Sequence, residues 1–241
     1  MLLLLSVRPG AAQTNAKGWV DVNLGVAIAS DGEFSSTRLA TIAEETASAT
    51  ATYNLPRGAS FDVGGGYMFS NLIGVGVSLS GTAHEDPAGL SVNVPHPLYF
   101  NAFGSDTATT DAALRRTEGA FHIQAMLVAL DTGRARVRFF GGPSYFTVEQ
   151  DTITNIRYQQ TFQILNRGNS VSITEYDTQR SEGTGWGVHA GADASFFFNR
   201  IVGLGMLVRY SRATVSIDDY GGPQDVRAGG VQVGGGLRLR F

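Results

Sequence analysis

The stretch that decides the fold is Gly229–Phe241, "GGVQVGGGLRLRF". Read with a period of two, Val231, Val233, Leu237, Leu239 and Phe241 fall on one face. Gln232, Gly234, Gly236, Arg238 and Arg240 fall on the other. Successive side chains of a β-strand point to opposite sides, so this alternation predicts a strand with a different solvent on each face.

Seven further segments repeat the pattern. "WVDVNLGVAI" sets Val20 to Ile28 against Asp21 and Asn23. "FDVGGGYMF" sets Phe61, Val63, Tyr67 and Phe69 against Asp62 and two glycines, and "IGVGVSLSGTAH" sets Ile73 to Leu79 against small residues and His84. "EGAFHIQAML" places Phe121, Ile123 and Leu127 opposite Glu118, His122 and Gln124. "RARVRFFGGPSYF" places Val137, Phe139 and Tyr145 opposite Arg136, Arg138 and Ser144. "GWGVHAGADASFFF" and "VGLGMLVRYS" put Trp186, Phe196, Phe198, Val208 and Tyr210 opposite His189, Asp193 and Arg209. Each segment offers about ten alternating residues, enough for a tilted strand to cross a bilayer. Pro143 belongs at a strand end or bulge, because it cannot donate to a ladder.

The connections alternate too. Short turns fall at 70–72, 130–134 and 199–200, and long polar stretches at 31–45, 85–116, 150–183 and 217–228. Within the first of these, "TRLATIAEET" (37–46) is the one stretch suited to a turn or two of helix. No apolar run approaches the ~20 residues of a membrane-spanning helix. The opening "MLLLLSVRPGAAQ" reads as the remnant of a secretory signal over 1–12, leaving 13–241 as a single domain. A formal net charge of -3 and the lack of a basic cluster argue against nucleic acid, and the absence of cysteine excludes disulfides and thiolate metal sites.

Two architectures fit eight alternating strands: a lipocalin-like soluble barrel with its apolar face inward, or a membrane barrel with that face outward. The polar faces are too rich in glycine, serine and alanine for a water-facing surface, and charged residues make up only 16% of the chain. They suit a narrow barrel interior. The aromatics agree: Phe69, Phe198 and Phe241 lie beside short turns or the C-terminus, and Phe61, Phe121, Tyr145, Trp186 and Tyr210 lie toward the long connections. Two such belts are expected of interfacial girdles. The apolar face is read as facing lipid.

In "FDVGGGYMFSNLIGVGVSLSG", "FFGGPSYF", "VGLGMLVRYSRATV" and the terminal "GGVQVGGGLRLRF", the chain resembles the small eight-stranded outer-membrane β-barrel proteins of Gram-negative-type bacteria, the outer membrane protein A- and X-like family. The likeness covers about residues 18–241, and "VPHPLYFN" (94–101) is similar to an uncharacterised branch of such barrels. The resemblance implies an all-β, antiparallel, up-and-down transmembrane barrel with short periplasmic turns, four long external loops and both termini in the periplasm. It also implies that the last strand is an insertion signal for the barrel-assembly machinery, with Gly236, Leu237, Leu239 and Phe241 in the signal positions. Gly234 departs from the pattern, which has a polar residue there.

On this reading Asp21, Asp62, Glu118, His122, Arg136, Arg138, His189, Asp193, Arg209, Arg238 and Arg240 point into the lumen. Ionised groups out of water must be paired, so a polar network is expected. Arg138 with Asp193, Asp21 with Arg238 or Arg240, and His84 with Glu118 sit at similar heights on adjacent strands. Arg115, Arg116 and Arg134 read as loop and turn charges. Some barrels of this kind are lipid A deacylases or palmitoyltransferases using His with Ser, but no Ser–His–acid order is recognisable around the four histidines. The expectation is therefore a non-enzymatic protein without cofactor or metal, acting structurally or through its external loops. Its partners would be outer-membrane lipid, lipopolysaccharide and an external ligand. A narrow channel is the alternative, and a lipid-modifying enzyme the third reading.

Overall fold

The structure, a computed structural model, describes residues 17–29, 32–55, 57–219 and 222–241. The expected signal remnant over 1–12 lies outside them. Twelve strands are present among the described residues: β1 (Gly18–Ala29), β2 (Glu33–Ile42), β3 (Glu45–Asn54), β4 (Gly58–Met68), β5 (Ile73–Asp86), β6 (Gly89–Pro95), β7 (Phe103–Thr109), β8 (Leu114–Asp131), β9 (Ala135–Phe162), β10 (Asn169–Phe197), β11 (Val202–Asp219) and β12 (Gly222–Arg240). Eight of them close a barrel in the order β1-β12-β11-β10-β9-β8-β5-β4, every neighbouring pair antiparallel. The ring closes between first and last strands, where Gly18 N–H donates to Phe241 O at 2.8 Å and Phe241 N–H to Gly18 O at 2.9 Å.

Alternation sorts the wall. Val22, Leu24, Val26, Val75, Val77, Leu79, Leu204, Met206 and Val208 are exposed on the outside, while Asp21, Asn23, Asp62, Ser78, Arg138, Asp193 and Arg209 are buried inside. This is an inside-out protein, apolar outside and charged within, and hence a barrel of the outer-membrane type. Pro143 sits in the middle of β9, not at its end. Its missing N–H does no harm, because the β8–β9 ladder is interrupted between His122–Ser144 and Ala125–Gly141.

Beyond the wall the long connections are not loose loops. β2–β3 and β6–β7 form hairpins that join through β3–β6 into a four-stranded sheet, while β9–β10 and β11–β12 run on as extended ladders. Residues 37–42 and 45–46 are strand, not helix; Ala43 and Glu44 take positive φ to make the tight turn between them. "TRLATI" is rich in β-branched residues and pairs residue by residue with β3, so tertiary pairing overrides a weak helical preference. The sheet packs on the β9–β10 extension around Tyr53, Leu90, Val92, Val94, Ile153, Ile156 and Val171. Tyr53 locks the join: its hydroxyl donates to Asp219 at 2.9 Å and accepts from Ile153 N–H at 2.8 Å. Burial pushes its phenol up, so it stays protonated and keeps donating. The protein is thus a barrel carrying a folded β head.

Gly229 and Gly230 mark the boundary. β12 pairs with β1 only as far as Gly230, and above that point only with β11. Both glycines take positive φ (91° and 135°), which lets β12 turn as it leaves the ring.

Leu90→Asp buries an unpaired charge in the head core, where Leu90 is 2% exposed. Limited trypsinolysis of the folded variant should then cut at head arginines such as Arg38 and Arg57, while the gel shift between boiled and unboiled samples persists. Loss of both together would make head and barrel one cooperative unit.

Candidate functional site

Two places hold concentrated side-chain chemistry: the lumen and the far end of the head. All eleven sequence-predicted lumen residues are buried in the barrel interior. At the height of the lower wall, Arg138 donates to Asp193 Oδ1 at 2.8 Å and to Asp21 Oδ2 at 2.6 Å. Arg238 binds the other oxygen of Asp193 through Nε at 2.9 Å and lies 3.5 Å from Asp21. The result is a four-member ring of two arginines and two carboxylates with no net charge. Arg240 takes no part; it donates to the Arg200 and Gly133 carbonyls at 3.0 and 2.7 Å and covers the Phe197 ring. Arg136 pairs with Asp131 at 2.7 Å.

Higher up, Arg209 reaches Asp62 at 2.7 Å and Ser78 at 3.0 Å, and Asn23 donates to Asp62 at 3.0 Å. Above these runs a chain of hydrogen-bonded partners: Ser80 to His122 at 2.9 Å, His122 to Ser144 at 2.8 Å, and Ser144 to His189 at 2.8 Å. At the top Arg116 binds Glu118 at 2.7 Å, Gln150 at 3.1 Å and the Arg227 carbonyl at 2.7 Å. The second Glu118 oxygen accepts from Gly229 N–H at 2.8 Å, so Glu118 serves Arg116 and β12 while His84 stands opposite Arg116 in the ladder. Arg116 is therefore a buried lumen residue rather than a loop charge. The alternating segment read from sequence begins at Glu118, whereas β8 begins at Leu114 and carries Arg116 on the inward face it shares with Glu118 and His122.

Topology gives these contacts their meaning. β9 and β1 are four steps apart around an eight-membered ring, as are β11 and β5, and β8 and β12. Arg138–Asp21 and Arg209–Ser78 therefore span the lumen from wall to opposite wall, and Arg116 reaches across to the Arg227 carbonyl just above the point where β12 leaves β1. Apolar side chains are packed among the charged ones: Trp19 lies under Arg138 and Phe140 under Arg209, in a cluster with Met68, Met126, Val128 and Leu207, and Phe146, Val148, Val215, Ile217 and Val226 form a second cluster at the level of Glu118. Between the spokes lies a cavity of about 10 Å³, room for roughly one water.

On the outside, Phe121, Tyr145 and Trp186 stand in one register row, the last two in edge contact at 5.3 Å. Phe61 lies over Gly81, where any Cβ would meet the ring, and Tyr210 is exposed beside Val231. Phe69, Phe198 and Phe241 are exposed at the opposite rim. Of the terminal segment, Leu237 and Phe241 face outward, and Gly236 crosses so close to Val22 that a Cβ would strike its carbonyl. Leu239 is paired with Val20 and Val202 at the seam.

The second place was not singled out from sequence. The β6–β7 and β9–β10 turns meet at the end of the head: Tyr99 donates to the Ile164 carbonyl at 2.7 Å, and His96 lies against Phe162 with ring centroids 5.4 Å apart. Around this contact Leu98, Phe100, Phe103, Phe162 and Ile164 are 43–68% exposed, and Leu165 is 103% exposed. Among the described residues of the head, Leu39 is the one other large hydrophobic exposed to this degree. The signal was available in "PHPLYFNAF" and "FQILNRGN", where apolar residues occupy turns that are ordinarily polar.

No family model matches this chain, and no curated protein does. Among solved structures it is similar to Ail, the attachment invasion locus protein of Yersinia pestis, in complex with the heparin analogue sucrose octasulfate (12% identity, 92% of this chain and 99% of that one, TM-score 0.40). It is also similar to Neisserial surface protein A (14%, 93% and 97%, 0.41) and to the outer membrane protease OmpT of Escherichia coli (9%, 97% and 100%, 0.47). The roles in those names belong to those proteins, and what this barrel does has to be argued from its own side chains.

Asp193 is the joint of the lower ring. Asp193→Ala leaves Arg138 and Arg238 sharing Asp21 alone, and loss of one partner from a buried ionic cluster costs about 3 kcal/mol or more. Urea unfolding from lipid should show that loss, and Asp193→Ala with Arg238→Met should recover part of it.

Proposed function

We propose that this protein is an integral barrel of a bacterial outer membrane, with both termini in the periplasm, that presents its β head outward to contact an external partner. The single observation that carries the reading is the apolar tip, the outermost end of a head otherwise covered by polar side chains. A contiguous exposed apolar patch on a folded protein marks an interaction surface. The outward band of Val, Leu, Ile and Phe supports the membrane setting, and the row Phe121, Tyr145 and Trp186 is read as part of an interfacial girdle. Gly236, Leu237, Leu239 and Phe241 are proposed as the insertion signal for the assembly machinery, because they lie on the strand whose pairing closes the ring.

The channel alternative is set aside for a physical reason. Side-chain bonds span the lumen from wall to wall, apolar side chains fill the space among them, and the cavity left has room for roughly one water, so a permeating ion would have to break buried pairs. The lumen charges are assigned to bracing. No reaction is assigned either: His122 and His189 are held by serines within the lumen, and His84 is buried.

The character of the head restricts the partner. Segments 30–57, 85–117, 147–185 and 212–229 carry sixteen carboxylates against nine arginines, one of them the buried Arg116, a net charge of -7. A polysulfated ligand would be repelled by such a surface.

Bacteria displaying the protein should be retained on at least one of three surfaces: immobilised matrix protein, heparin, or a cultured-cell monolayer. Heparin should be the weakest. Replacing 97–102 and 163–167 with Gly/Ser turns should abolish retention with the barrel still folded. In planar bilayers the protein should be silent. Retention no better than cells lacking the protein, or discrete conductance steps, would overturn the reading.

A further inference from the structure

Resting on that reading, the partner at the tip can be named by its chemistry. We propose that the tip inserts into the interfacial layer of a zwitterionic phospholipid bilayer other than the one that holds the barrel.

Four observations carry this. The first is shape. The apolar residues belong to two hairpin turns and project from them, Leu165 being as exposed as in an extended chain. A protein-binding patch is packed into a complementary surface around buried anchors; protruding turn residues suit a medium that deforms around them.

The second is the state of the backbone. Lipid offers no hydrogen bonds, so a segment that enters it must satisfy its own polar groups. Here the turns meet part of that demand internally. His96 N–H donates to Ala102 O at 2.6 Å and Gln163 N–H to Gly168 O at 2.7 Å. Leu98 N–H donates to His96 Nδ1 at 3.0 Å, Asn101 N–H to Glu45 Oε1 at 2.8 Å and Gly168 N–H to Asn166 Oδ1 at 3.0 Å. The Ile164 carbonyl is taken by Tyr99 and the Gln163 carbonyl by His96 at 3.4 Å. Asn101 and Arg167 hold positive φ, which keeps both turns tight.

The third is composition. Phe and Leu form the projecting part, while Tyr99 and Arg167 stack beside it, 5.1 Å from guanidinium carbon to ring centroid. Aromatic residues with a polar tip and a long cationic side chain are the pair that sits at the level of lipid headgroups. The fourth is charge. A head with seven excess carboxylates is repelled by an anionic surface, which leaves a neutral one.

The barrel's own bilayer is out of reach. From Tyr145 in the outer aromatic row to Phe162 at the tip, β9 runs on for 17 residues. At ~3.3 Å per residue and a tilt of ~40° this is roughly 40 Å of height, against the 5–10 Å to which an interfacial segment penetrates, an order-of-magnitude figure.

The test uses the full chain folded in nanodiscs, mixed with phosphatidylcholine vesicles and floated on a density gradient. The protein should float with the vesicles, and 30% phosphatidylserine should reduce the floated fraction, a proportion of about one in three chosen to give a strong surface potential. Ile164→Asp with Leu165→Asp, and separately Leu98→Asp with Phe100→Asp, should each lower partitioning about tenfold or more. Leu39→Asp, on the flank of the head, should not. Boiled-versus-unboiled gels establish that each variant is folded. A wild-type protein that stays at the bottom of the gradient, or tip variants that float like wild type, would overturn the proposal. If vesicles are ignored but the same tip variants abolish retention on matrix protein, the occupant is a protein: the lipid proposal fails and the surface-contact reading stands. If tip variants are retained as well as wild type, both fail.

Discussion

The rest of the molecule depends on the seam between β1 and β12. A sheet in hydrocarbon cannot leave an edge, since each unpaired N–H or C=O there costs several kcal/mol, an order-of-magnitude figure. The first and last barrel strands must find one another across the whole chain, and they do so through eleven residue pairs from Trp19–Arg240 to Ala29–Gly230. Glycine makes the seam: at Gly25 and Gly236 the partner backbone comes so close that a side chain would collide with the carbonyls of Val233 and Val22. Closure then fixes everything inside. Once β1 lies beside β12, Asp21 stands opposite Arg238 and within reach of Arg138 from the far wall.

That closure also explains why so many charges tolerate the interior. Each of Asp21, Asp62, Glu118 and Asp193 faces at least one arginine, and the pairs Arg138–Asp21, Arg209–Asp62 and Arg238–Asp193 cross between strands that do not touch in the sheet. Such pairs add little net stability against a hydrophobic isostere. What they add is register. A strand displaced by one residue would turn its arginine into lipid and leave a carboxylate unpaired inside. The spokes are therefore best understood as a check on assembly, which is a different use from conduction.

The membrane part was legible in the sequence because lipid on one side and a cramped lumen on the other enforce a strict period of two. Trp186, Val188 and His189 fall on their faces by alternation alone. The head obeyed the same period but was unreadable by the same rule, since neither of its faces meets lipid. β2 is exposed along nearly its whole length, with Ser, Thr and Ala on both sides, and so reads as a polar loop. Its partner β3 carries Ala51 and Tyr53 into a core whose other half comes from β6, β9 and β10, more than thirty residues away. Arg116 was misplaced for a related reason: a strand that leaves the membrane without ending looks, in composition, like a strand that has ended. The barrel alternation was local information, and the head core was not.

One further consequence follows from building the head as a continuation of the wall. β9 and β10 pass from lumen wall to tip as a single ladder, with register shifts only at Ile173/Glu175 and Asp177/Thr178. A bulge bends a ladder and sharpens its twist, so the head is curved at those points and stiff elsewhere. The joined hairpins add a second layer through the bond from Ile173 N–H to Asp106 at 2.8 Å, beside the first bulge. A stiff, two-layered stalk costs stability to order and would be wasteful if the ends were only linkers. It makes sense if the six apolar residues at the tip must be held together and held away from the surface below. Flexible loops bearing the same residues would fold back onto the barrel's own bilayer, where their burial is equally favourable. On the proposed reading, the stiffness of the head is what reserves the tip for something outside.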